Sequence, residues 1–376
     1  MFSGISLRIF GDVYLTEIVL SVFAVFSIAS GKKVFVHKSV TLVPLFFFSW
    51  FFANLFSSLV SGKSIVQVLI ALFTVILTGL TVRSVLEFFL EFPHLILTSF
   101  ALFSVGRITG LLVQPQPYTV ALPWKFGFGE WFILLAFLFF AKSNSRKFLF
   151  TVVPLFIYIS LSGEARTLSF LLVGTLAISF IANKKRVSTG LVLAVSLLPF
   201  FVYFTYLDLA LSGRLGDSEI GRARILAESD LGPLAARKEF AFSTRAFIES
   251  PIIGRGFDPV VSAEILNSGA QELLKNGVKI DYAYLSEFPM HSFLMSSLVQ
   301  GGIFAGLFWL LMLLRAAQAI IYSTILEYSL RPLTVYICLS MIGRILFSPY
   351  GALERLNVAF FASYILIVNI RKRLTV

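Results

Sequence analysis

The stretch VTLVPLFFFSWFFANLFSSLV, residues 40–60, runs for twenty-one positions without a charged side chain. A helix of about 20 apolar residues spans the hydrocarbon core of a bilayer, so this stretch reads as a transmembrane helix. Its six phenylalanines suit a lipid-facing surface. Working outward in both directions, similar runs recur at 13–30, 65–82, 95–113, 128–141, 148–161, 167–183, 189–211, 292–314, 333–347 and 356–370, eleven in all with the first stretch. The weakest is 13–30, because Glu17 lies within it. The reading is an all-α, polytopic integral membrane protein with about 11 transmembrane helices.

The composition carries the same message. Mean hydropathy is +0.89, and of 376 residues 57% are hydrophobic and only 14% charged, where a soluble domain carries about a quarter. One compact core cannot hide so much apolar surface, so the surrounding solvent must be lipid. The net charge of +11 does not point to nucleic acid, because the basic residues stand in short clusters between apolar runs. The single cysteine, Cys338, lies inside one run and excludes an intrachain disulfide. The first run lacks the basic flank and small-residue cleavage site of a secretory signal.

The links between runs set the orientation. One set carries Lys32, Lys33, Lys38, Arg83, Lys142, Arg146, Lys147, Lys184, Lys185, Arg186, Arg315, Arg331, Arg371, Lys372 and Arg373, fifteen in all. The alternate short links carry five: Arg8, Lys63, Lys125, Arg166 and Arg355. Cytoplasmic loops are enriched in Lys and Arg, so the fifteen face the cytoplasm and the long polar segment 212–290 faces outside. The chain then divides into 1–211 with eight spans, 212–290 as a periplasmic loop, and 291–376 with three spans and a cytoplasmic tail. Within the loop, Gly232-Pro233 opens a helix reaching Ser250, Pro251 stops it, 252–257 is a glycine-bearing turn, and 260–275 forms a second helix ending near Gly277. The loop should be an ordered helical cap.

Chemistry narrows to few side chains. Of three histidines, His37 and His94 fall on cytoplasmic links, and His291 alone lies outside, opening a spanning helix just after Pro289. A helix N-terminus disfavours imidazolium, which leaves a neutral base; the plain alternative is an interfacial capping histidine. Six arginines collect at the outer side against the orientation bias: Arg107, Arg166, Arg214, Arg245, Arg344 and Arg355. Guanidinium suits bidentate phosphate contacts, so the set reads as an external anion site. The plain alternatives are snorkelling to lipid phosphates and pairing with Glu164 and Glu354. The external carboxylates show no metal-site or glycosidase spacing, and the chain has no HExxH, CxxC, Walker or GxSxG pattern.

Four segments together resemble the O-antigen polymerase and O-antigen ligase superfamily. Ser162-Gly163-Glu164-Ala165-Arg166-Thr167 is similar to its SGSR-type segment, and Leu211-Ser212-Gly213-Arg214 to its loop-opening arginine. Arg245 with Ser250-Pro251-Ile252-Ile253-Gly254-Arg255-Gly256-Phe257 resembles its R…P(I/L)xGxG segment, with the RX10G spacing typical of polymerases. Met290-His291-Ser292-Phe293-Leu294, followed by Gly301-Gly302-Ile303 and Gly306, resembles the HNxxL…GxxG block that re-enters the membrane. The blocks keep the family order between Ser162 and Gly306; the N-terminal half is similar in hydropathy only. Ser292 replaces the common Asn, Glu164-Ala165 departs from the small-polar pattern, and no second RX10G is present.

The resemblance implies a GT-C-like glycosyltransferase of the bacterial inner membrane, multi-pass, with its active site facing the periplasm. The donor would be an oligosaccharide on undecaprenyl diphosphate, polymerised onto another lipid-linked repeat unit as O-antigen or a related surface polysaccharide. The alternatives are a ligase acting on lipid A–core and, from another class, a transporter or flippase of lipid-linked sugar. The implied catalytic residues are His291, Arg214 and Arg245, with Arg166, Arg107 and Arg344 on the diphosphate. No cofactor or metal is expected. Implied partners are the lipid-linked oligosaccharide, membrane lipid and a chain-length regulator protein, and no nucleic acid.

Overall fold

The computed structural model describes residues 6–8, 12–37, 40–115, 117–163, 165–182, 204, 206–214, 220, 221, 223, 224, 227, 239–259, 262–275 and 292–371. Apart from one short antiparallel hairpin, β1 (Ser6–Arg8) and β2 (Asp12–Tyr14) with Leu7 opposite Val13, every regular element among the described residues is helical. The helices are α1 (Leu15–Ala29), α2 (Leu42–Val60), α3 (Ile65–Glu91), α4 (Ile96–Val113), a single turn α5 (Pro117–Ala121), α6 (Gly129–Ser143), α7 (Arg146–Ser162), α8 (Arg166–Ala182), α9 (Glu239–Glu249), α10 (Ala263–Lys275), α11 (Phe293–Tyr322), α12 (Arg331–Phe347) and α13 (Ala352–Arg371). Ten of the eleven apolar runs coincide with α1–α4, α6–α8 and α11–α13; most of the run 189–211 lies outside the described residues. Five described segments are long and apolar enough to cross a membrane: Leu42–Val60, Ile65–Glu91, Pro93–Val113, Trp124–Ser143 and Phe293–Ile325. The architecture is an all-α bundle of membrane-embedded character.

Hydrogen-bonding residues set several helix starts. Ser64 accepts from the Gln67 amide at 3.3 Å while Gln67 returns a bond to Ser64, a capping box at α3. Ser145 opens α7 and Ser292 opens α11 with the serine's half of that arrangement, accepting from the Phe148 and Met295 backbone amides. α3 continues about two turns past the run that announced it, so Arg83 belongs to the helix and not to a link. The extension holds because its polar groups find partners. Arg83 donates to the Lys32 carbonyl at 2.7 Å, Ser27 bonds Glu87, and the Lys32 ammonium lies 2.5 Å from Glu91. Those hydrogen bonds, Glu91 first and then Glu87, hold the Lys32 ammonium above its ordinary pKa.

The same contacts identify one end of the bundle. Arg371 donates to Leu90 and Asn369 to the Arg315 carbonyl, so Lys32, Arg83, Arg315 and Arg371 gather there. α13 packs along α3 and against α11 and α12. Its residues Leu356 to Val368 are almost all buried, which marks an interior helix. α2 differs: Phe48, Phe52 and Phe56 are exposed on one side, while Trp50 stacks on Phe308 at 5.2 Å on the other. Trp309, Phe293 and Tyr350 complete that aromatic core.

Candidate functional site

Gly301 and Gly302 break α11. Gly302 has φ 67° and ψ −164°, outside helical geometry, a conformation that favours glycine. The segment 293–301 folds back on the helix beyond the break: Trp309 Nε1 donates to Ser297 Oγ at 2.7 Å across twelve residues, and Phe293 meets Trp309 with ring centroids 5.0 Å apart. In a straight helix, twelve residues would separate these side chains by about 18 Å. α11 is therefore a re-entrant half-helix followed by a long helix.

The break leaves helix carbonyls without partners, and the turn after α9 supplies them. Arg255 N donates to Val299 O at 2.8 Å, Gly256 N to Gln300 O at 2.9 Å, and Ile303 N to Pro251 O at 2.8 Å. Ser57 of α2 also donates to Gln300 O at 2.5 Å. The two backbones cross in contact. A Cβ on Gly254 would lie 2.5 Å from Gln300 O, and one on Gly302 would collide with the Ile252 carbonyl oxygen. The Pro251–Phe257 segment and the Gly301-Gly302 segment thus form one interlocked unit. At the start of the half-helix, Ser292 is buried and bonds the Ile345 carbonyl at 2.9 Å, so the chain enters the bundle interior directly after residue 291. His291 itself, like Glu164, lies outside the described residues.

The six arginines that the orientation bias sets apart divide into two groups. Arg107, Arg344 and Arg355 are buried at the bundle end opposite Lys32, where α1, α6 and α13 begin and α4 and α12 finish. Arg355 forks onto Glu17, Nε to Oε1 at 2.7 Å and a terminal nitrogen to Oε2 at 3.0 Å. Glu17 also accepts from the Tyr14 amide at 2.8 Å. Arg344 lies between Glu130 and Glu354, ion-paired to both. Ser340 holds Glu130 at 2.9 Å and Asn357 holds Glu354 at 3.2 Å. Arg107 stacks over Tyr14 at 5.0 Å and Trp131 at 5.4 Å. Glu354, a carboxylate open to pairing by sequence, pairs with Arg344, and Arg355 pairs with Glu17. The charge of Arg344, expected to serve a diphosphate, is already balanced by two carboxylates.

Arg166, Arg214 and Arg245 belong to segments that meet at or lead from a different feature. Arg166 stacks on Tyr206 at 5.0 Å and donates to its hydroxyl at 2.7 Å. Tyr206 belongs to a small core with Ala210, Ala223, Phe242 and Leu273. Arg214 ends the helical segment carrying Tyr206 and Ala210; it is exposed, and its guanidinium has no partner among the described residues. Arg245 lies on α9 with Phe242 and meets Glu272 of α10 at 3.0 Å, both side chains about half exposed. α9 and α10 are the two helices expected of the cap, pressed so close that a Cβ on Gly269 would lie 2.7 Å from the Phe242 ring. Phe240 reaches Phe347 of α12 at 6.1 Å, and Ala246, Ile265 and Val299 cluster together, so the cap rests on the re-entrant unit.

Sequence reasoning missed Glu17 and Glu130 as arginine partners. Glu17 was visible only as a charge in an apolar run, and such a charge implies a buried counter-ion. It also missed Arg255, which donates to Glu249 at 2.5 Å and to the Ala246 carbonyl at 3.2 Å, fixing the turn to α9. Among the described residues no three His, Cys, Asp or Glu side chains converge as metal ligands. No family model matches the chain, and neither a curated protein nor a solved structure is significantly similar to it.

Proposed function

We propose that the chain is a membrane glycosyltransferase that polymerises undecaprenyl-diphosphate-linked oligosaccharide repeat units at the outer face of the bacterial inner membrane. The observation that carries this reading is the interlock of the Pro251–Phe257 and Gly301-Gly302 segments, two of the four motif blocks, about forty-five residues apart. The grouping of Arg166, Arg214 and Arg245 around the cap core supports it. These three, and not the neutralised Arg344, are the arginines that serve the diphosphate. His291 accepts the proton of the acceptor hydroxyl, whose oxygen attacks the anomeric carbon. The glycosidic C–O bond to the diphosphate breaks, and the leaving diphosphate takes the electron pair and is stabilised by guanidinium groups. Arg107 and Arg344 act through the packing of the helix ends beneath.

The test uses the full-length protein in vesicles with a lipid-linked repeat unit as substrate. General-base catalysis contributes roughly 10²–10⁴ in rate, so His291→Ala lowers polymer formation by about that factor while donor binding is retained. Normal turnover in His291→Ala refutes the base. Transfer to lipid A–core without polymer makes the enzyme a ligase, and sugar movement across the bilayer without glycosidic bond formation makes it a transporter. Reporter fusions after Arg186 and within 262–279 should report opposite sides of the membrane; the same side for both removes the external cap.

A further inference from the structure

Two cavities lie against the turn that follows α9. The first, of about 320 Å³, is an almost wholly apolar groove lined by Phe52, Ala53 and Phe56 of α2, by Ile252 and Ile253, and by Phe304. Phe52, Phe56, Ile252 and Phe304 are more than half exposed. The second, of about 570 Å³, is polar and lined by Ser61, Gly62, Lys63, Gln67, Ser250 and Arg255. The turn at 250–255 contributes to both. α2 supplies the groove wall, and the link after α2 supplies the polar wall. Ile252 and Ile253 face the groove, and Arg255 faces the polar cavity.

Depth and charge say what fits. At 1.5 Å per residue, Phe56 lies about 6 Å and Ser49 about 17 Å along α2 from its end at Val60. The polar cavity sits at the α2–α3 link, where two candidate spans finish and start. A headgroup at the link therefore has apolar wall beneath it over a good part of one leaflet. Lys63 Nζ donates to the Asp258 carbonyl at 2.5 Å, and it makes no ion pair among the described residues. An ammonium has three donors, so two remain for a ligand, and a carbonyl does not cancel its charge. Arg255 stands beside it, held by Glu249. We propose that the double cavity binds an anionic bilayer phospholipid, its phosphate at Lys63 beside Arg255 and one acyl chain in the groove. Arg166, Arg214 and Arg245 line neither cavity; the site shares the Pro251–Phe257 turn with the interlock described above, but its occupant is argued from the groove and Lys63 alone and does not depend on the proposed activity.

The probes are phosphatidylglycerol and phosphatidylcholine of identical chains, added to the full chain in detergent, with bound lipid counted by native mass spectrometry. One surface cation near an anionic lipid is worth about a fivefold preference, so phosphatidylglycerol should be retained about fivefold more than phosphatidylcholine. Lys63→Glu should abolish the preference, Lys63→Arg should keep it, and Ile252→Trp should lower retention of both lipids by filling the groove. If Lys63→Glu melts early, Lys63→Met gives the same reading without charge reversal. Equal retention of the two lipids, or a preference that survives both Lys63→Glu and Lys63→Met, overturns the headgroup assignment. Short-chain phosphatidylglycerol held as firmly as the long-chain form overturns the groove. Displacement of phosphatidylglycerol by an equal amount of undecaprenyl diphosphate overturns the choice of occupant.

Discussion

Arg355 and Arg245 each hold one carboxylate through two guanidinium nitrogens, in opposite surroundings. The Arg355–Glu17 pair joins α13 to α1 with side chains 7% and 0% exposed, while Arg245–Glu272 joins α9 to α10 with both side chains 48% exposed. Two desolvated charges need each other, because either one alone would be a buried ion without a counter-charge. Two half-solvated charges are screened and can exchange partners at little cost. The first pair is a structural fastening, and the second is a pair of groups that an anionic ligand can separate. An arginine's exposure, more than its place on the outer side of the sequence, decides which role it has.

The comparison breaks most sharply at Arg355. Removing one partner of a buried ion pair costs about 3–5 kcal/mol, so Arg355→Ala should abolish accumulation of folded protein, read by size-exclusion profile and melting temperature in detergent. Replacing both partners with apolar residues, Glu17→Leu with Arg355→Leu, should restore most of the loss. If the single variant melts like the parent, the pair is not buried as described. The next effect belongs to Gly302. A branched side chain at its positive φ adds strain of about 1–3 kcal/mol and drives into the Ile252 carbonyl, so Gly302→Val should loosen the turn and expose 251–257 to proteolysis. Cleavage at the parent rate would mean that the two segments do not interlock. The smallest effect on stability is at the cap. Arg245→Lys should change the melting free energy by no more than about 1 kcal/mol, and Arg214→Lys should change it even less. Both should nevertheless lose most polymer formation, because lysine keeps the charge and loses the planar fork. Wild-type polymer from both lysine variants would place the diphosphate elsewhere.

Hydropathy read the helices well because lipid solvation acts residue by residue along the chain. α2, α4 and α6 begin and end within two residues of their apolar runs. α3 was cut short because Arg83 looks like a boundary until Ser27 and Lys32 are seen to face the extension. The break in α11 left a local trace, Gly301-Gly302 inside an apolar run, but the fold-back needs the distant turn at Pro251 to satisfy the freed carbonyls. Glu17 weakened the first run for the same reason: its counter-ion is 338 residues away, and no window along the sequence joins them. The cap helices were visible from Pro251 and their periodicity, whereas the neutralisation of Arg344 and Arg355 depends on glutamates from α1, α6 and α13.

The distance between Glu17 and Arg355 also has a meaning in time. At a synthesis rate of about 5–20 residues per second, the carboxylate on α1 is made on the order of tens of seconds before the guanidinium that will neutralise it. During that interval α1 carries an acidic group, held by the Tyr14 amide alone, without the guanidinium that neutralises it, and the interior position of α13 stands open. Closure of the α1–α13 contact waits for Arg355, and a chain that stops before it keeps a carboxylate in an apolar helix without this counter-charge.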